Sequence, residues 1–135
     1  MKKSIAVSIL LGALALLPLS SWAQRAHPTQ AFMREKLTYA QGILEGITLA
    51  KFNLVLTNAT PLRNMNQTNA FVIVGNLEYR QRTTNFFTAV DALIAAAKAR
   101  DLNGSTEAYL HVAKACVECH ETFRREQFVQ SQLKK

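Results

Sequence analysis

Apolar residues recur every three or four positions along most of the chain after Pro28, the period of a helix that buries one face. A first helix is expected from Thr29 to Asn58, with a stripe of Met33, Leu37, Ala40, Leu44 and Ile47 that Ile43, Phe52, Leu54 and Val55 widen. The segment Asn58-Ala-Thr-Pro61 reads as its stop, because proline disfavours helix in the residue before it. A shorter second helix is expected from Asn64 to Gly75. Within it Phe71-Val-Ile-Val74 could locally be a buried strand, but no partner strand is apparent elsewhere. The third helix is expected from Leu77 to Arg100, where Tyr79, Thr83, Phe86, Val90, Leu93 and Ala97 step by four and three. Asn103-Gly104 ends that segment, and Ser105 is the expected N-cap of a fourth helix reaching Gln130. Four amphipathic helices with short connections predict an all-α fold, an antiparallel four-helix bundle.

The first residues follow a different pattern. Lys2 and Lys3 precede an apolar run from Ile5 to Leu17, Pro18 breaks it, and Ser21-Trp22-Ala23 offers small residues at the positions a signal peptidase reads. Residues 1–23 are therefore expected to be a cleaved secretory signal peptide, and residues 24–135 one folded domain. The run is too short for the roughly 20 residues that cross a bilayer, so no membrane association is expected after cleavage. Losing Lys2 and Lys3 takes the surplus of 16 basic over 9 acidic residues to about +5. That surplus could steer the protein toward an acidic partner, but the basic residues are scattered, which argues against nucleic-acid binding.

The strongest chemical signal is Cys116-Val117-Glu118-Cys119-His120, the spacing of c-type haem attachment. On a helix, positions i and i+3 put both sulfurs on one face, where they can form thioethers with the two vinyl groups of one porphyrin. The next residue, on the same side, can present its imidazole to iron as an axial ligand. One covalent haem c is the cofactor expected. A thioredoxin-type dithiol would open a helix after a strand, whereas here a helical segment precedes the cysteines. Zinc would need a fourth ligand, and a disulfide across so small a loop would stabilise little. Only 15 residues follow His120 and none is methionine, so a second axial ligand would have to come from upstream.

The segment from Cys116 to Arg124 resembles the C-terminal signature of the cytochrome c′ family, and Tyr39-Ala-Gln-Gly-Ile-Leu44 is similar to that family's tyrosine-arginine-glutamine segment. The arginine is Ala40 here, which removes any haem contact it would make. The resemblance implies a periplasmic monohaem cytochrome acting in electron transfer or in binding nitric oxide or carbon monoxide, not an enzyme. It places Leu44 over the open face of a five-coordinate haem, although helix spacing alone equally allows Leu44 an ordinary core position. It sets Arg124 beside the proximal side, where a solvated residue favoured by the helix dipole is the other reading. A periplasmic redox partner and a homodimer are further implications. A methionine-ligated, six-coordinate carrier is the alternative, and behind it a weak haem enzyme of nitric oxide or peroxide chemistry, for which no distal acid–base pair is apparent. As the methionine ligand, Met33 is expected to lie too far along the helix from Leu44, and Met65 in a connection or at the start of the second helix. His111 and His27 are expected to be surface residues.

Overall fold

The computed structural model describes residues 28–65 and 77–133. They form four helices: α1 (Pro28–Thr48), α2 (Phe52–Asn64), α3 (Leu77–Lys98) and α4 (Leu102–Leu133). The expected leader and most of the expected second helix lie outside the described residues. No strand occurs among those described, and the chain is an all-α four-helix bundle. Each helix packs on the next, and α4 returns to touch α1 sparsely; α1 and α3, like α2 and α4, stand diagonally opposite. The core is built from Ile43, Val55, Leu62, Phe86, Val90, Leu93 and Val112, with Ala59, Ala97, Ala108 and Ala115 letting the helices approach. The third helix keeps the expected stripe.

The first expected helix is in fact two. After Thr48 the chain turns back, with the Lys51 N–H bonded to the Gly46 carbonyl at 2.7 Å and the Ala50 N–H to the Ile47 carbonyl at 3.0 Å. These paired bonds, with Ala50 left-handed at φ 49°, form a Schellman stop. Glycine usually fills that position, and alanine hides the signal. The same device ends α3: Asp101 N–H bonds to the Ala96 carbonyl at 3.0 Å, Arg100 N–H to the Ala97 carbonyl at 3.1 Å, and Arg100 has φ 57°.

The fourth helix consequently starts three residues before the expected Ser105. Asp101 caps it, its Oδ1 accepting the Gly104 N–H at 2.9 Å, while Ser105 donates its hydroxyl to the Asp101 carbonyl at 2.6 Å. Pro61, expected in a break, lies inside α2, where buried Val55, Ala59 and Leu62 hold the helix against its neighbours. The gain from burying those side chains offsets a proline cost of about 3 kcal/mol.

The α1–α2 turn makes opposed predictions for adjacent residues. A Cβ on Gly46 would lie 2.8 Å from the Val55 nitrogen and Cγ2, so Gly46→Ala should destabilise by about 1–3 kcal/mol. Ala50→Gly removes left-handed strain and should stabilise by about 1 kcal/mol. Urea titrations should move the two midpoints in opposite directions; a loss in both variants would mean that Ala50 is unstrained.

Candidate functional site

Cys116, Cys119 and His120 sit in the middle of α4, where an uninterrupted helix fixes their relative directions. The cysteines are half-buried free thiols, and His120 is more exposed. All three line a cavity of about 470 Å³ to which every helix contributes. Met33, Lys36, Leu37 and Ala40 come from α1, Leu62 from α2, and Arg82, Thr83 and Phe86 from α3.

The register of α1 against α4 decides which residues share this space. The two helices run antiparallel, and the Tyr109 hydroxyl donates to the Ala40 carbonyl at 3.1 Å. Seven residues back along α1 from Ala40 is Met33; seven residues on along α4 from Tyr109 is Cys116. The N-terminal half of α1 therefore faces the cysteines. Leu44 lies four residues in the other direction, level with Ser105, about 16 Å along the axis from Cys116. It is 47% exposed and lies outside the cavity lining.

Met33, expected to lie too far along the helix from Leu44, lines the cavity, and Leu44, expected over the haem face, does not. Arg124 is exposed on α4 and also lies outside the lining. Met65 is buried in the core at the end of α2. His111 is exposed beside a shallow groove between α3 and α4, and His27 lies outside the described residues.

A chain of ion pairs holds the cysteine segment at a fixed rotation. Glu118, between the two cysteines, accepts from Arg82 Nη1 at 2.9 Å. Arg82 also approaches Glu78 at 3.6 Å, and Glu78 Oε1 accepts from Arg125 at 3.1 Å and from the Thr122 hydroxyl at 3.2 Å. Sequence reading missed Arg82 and Lys36, because charged residues on an amphipathic helix ordinarily face water.

The electrostatics are those of a mostly dry space. Burial pushes both thiols up, while the Lys36 ammonium, and for Cys119 also Arg82, pulls back toward ionisation. Both cysteines thus stay as thiols near neutrality, poor in spontaneous oxidation. Burial pushes Lys36 down, partly opposed by the two cysteines. Its Nζ lies 3.9 Å from the centre of the Phe86 ring, a cation–π distance. Thr83 Oγ1 is buried without a hydrogen-bond partner among the described residues, and Thr83 lines the same cavity.

These features fit a haem. The volume lies in the range of about 300–1,000 Å³ usual for cofactor pockets. Two thiols one helical turn apart and an adjoining imidazole meet an apolar wall across the space, and an orphaned hydroxyl is left to be satisfied. Among the described residues no three His, Cys, Asp or Glu side chains gather to hold a metal ion by themselves. The iron would need a ring of donors that a porphyrin supplies.

No curated protein and no solved structure matches the chain. The family model described as cytochrome C′ matches residues 56–124, just over half of the 135 residues. The match takes in most of α2, all of α3 and the haem-attachment segment, and leaves α1 outside. With that match and the four-helix fold around the cysteine–histidine cavity, the chain belongs to the cytochrome c′ family, the c-type haem proteins of electron transfer and gas binding.

Proposed function

We propose that the protein is an exported, periplasmic electron carrier with one haem c, joined through Cys116 and Cys119 and ligated by His120. The observation that carries this reading is the single cavity uniting the two thiols, the imidazole and, from the opposite helix, Met33. The two thiols would hold the haem as thioethers, which addition of S–H across a vinyl double bond would form without an oxidant. Met33, lining the same cavity, would hold the iron with a thioether sulfur, and a haem so held would supply electron transfer. Arg82 positions the attachment segment through Glu118. The protein passes electrons rather than transforming a substrate, and its partner is a periplasmic redox protein that the basic surplus would favour if acidic.

The second reading is a five-coordinate haem that binds nitric oxide or carbon monoxide. The family allows it, and the open side of the cavity beside Leu37, which is 57% exposed, gives a small gas an approach. Removal of Leu44 from the cavity takes away the group expected to crowd that face. Met33 in the lining makes the six-coordinate carrier the reading preferred here. Leu37 and Leu44, both exposed on α1, would suit the homodimer expected from the family.

Two experiments test this. In absorption spectra of the exported protein with and without carbon monoxide, the ferrous form should be low-spin and unmoved by the gas. Met33→Leu should open the face and give a carbon monoxide complex. A wild-type ferrous spectrum that is high-spin and shifts with carbon monoxide would establish the gas-binding reading instead; absence of haem bands would overturn both. In the second experiment, haem should remain with the wild-type chain through denaturing electrophoresis and acidified-acetone extraction. The double variant Cys116→Ala, Cys119→Ala should lose it completely, and retention would overturn thioether attachment at these residues.

A further inference from the structure

Lys36 is the residue in the cavity that the proposed function does not use. A lysine amine loses solvation in such a place, and α1 could have kept it in water by presenting another face. Instead Lys36 lines the cavity with Nζ over the Phe86 ring at 3.9 Å and 6.0 Å from the centre of Phe32. It lies one turn from Met33, on the same face of α1. The charged and titratable groups sharing the cavity are Arg34 on its own helix, Arg82 on α3, and Cys116, Cys119 and His120 on α4; α2 adds only Leu62.

A propionate partner would be the simplest role for this cation. Its place argues otherwise. Lys36 lines the same cavity as both cysteines, which would hold the vinyl edge of the ring, and propionates leave the porphyrin from the opposite edge. What Lys36 can reach from beside the cysteines is the face of the ring.

We propose that Lys36 is a second ligand on that face: its amine binds the ferric iron, and Met33 replaces it on reduction. The inference rests on the haem reading above. Ferric iron, the harder acid, prefers a nitrogen donor, whereas ferrous iron accepts the softer thioether. Burial already weakens the hold of Lys36 on its third proton, so the neutral amine is within reach. When an external one-electron oxidant takes an electron from the iron, Lys36 releases one proton to solvent and its lone pair forms the nitrogen–iron bond. The Met33 sulfur–iron bond breaks at the same exchange, and reduction reverses both changes with uptake of one proton. The bound amine retains two N–H groups in a largely apolar space, and the Thr83 hydroxyl, without a partner among the described residues, is an acceptor lining the same cavity.

The test uses the ferric and ferrous holoprotein, read by low-temperature electron paramagnetic resonance and near-infrared spectroscopy. Ferric wild type should give a low-spin signal of two nitrogen axial ligands and lack the thioether-to-iron charge-transfer band. Lys36→Arg keeps the charge and stem but cannot ligate; it should lose the nitrogen signal and gain the thioether band, as should Lys36→Leu. Met33→Leu should keep the ferric nitrogen signal while its ferrous form opens to carbon monoxide. Covalent haem content and an unchanged ferrous spectrum in Lys36→Arg show that the variant folds. A thioether band already present in ferric wild type, or a nitrogen signal persisting in both Lys36 variants, would overturn the proposal and leave the haem reading intact. A high-spin ferric wild type would overturn both Lys36 ligation and six-coordination. No covalent haem would overturn the inference together with the function on which it rests.

Discussion

The antiparallel register of α1 on α4 governs the chemistry open to this bundle. One hydrogen bond across the pair, from the Tyr109 hydroxyl to the Ala40 carbonyl, marks that register where the helices come close. Toward the cysteines both helices contribute to the cavity lining. Sliding α1 by one turn would exchange Met33 and Lys36 for other residues opposite Cys116. The sulfur and amine donors of α1 face the attachment site because the turn at Ala50 and the packing of Gly46 on Val55 set where α1 ends relative to α2.

That dependence explains which parts of the molecule were legible in the sequence. Helical periodicity revealed the fold class, and the α3 stripe from Phe86 to Ala97 is buried as its spacing implied. That Cys116, Cys119 and His120 would face one space was legible because the geometry is local: residues i, i+3 and i+4 share a helix face wherever the helix goes. The boundaries between helices were not. Both observed stops use left-handed residues, Ala50 and Arg100, that carry none of the composition of a turn. Their cost is met by tertiary contacts remote in sequence, such as the Arg100 guanidinium 5.2 Å from the Phe52 ring. A proline inside α2 misled in the opposite direction, since helix packing outweighed its local preference.

The far wall of the site was illegible for a related reason. Which residue of α1 faces the cysteines depends on helix ends and interhelical register, and neither is written in a short segment. Resemblance pointed to Leu44, but the family match begins at residue 56 and leaves α1 outside. The Arg82–Glu118 pair spans two helices and depends on rotation about both axes, so opposite charges at those positions were not a signal on their own.

The cavity also bears on how the protein is held together. The core among the described residues is built largely from alanine, valine and phenylalanine, and the cavity beside Cys116 lies between the helices that supply it. An apolar ring seated there would complete the packing of all four helices at once, because each contributes to the lining. Binding of a group to the folded state alone stabilises that state, and covalent attachment makes the effect independent of free cofactor concentration. A half-buried lysine and a threonine hydroxyl with no hydrogen-bond partner among the described residues are unfavourable against a largely apolar lining. A cofactor held by the cysteines would offer polar partners to both, so the residues least suited to an apolar space are ones that would tie the folding of the chain to that cofactor.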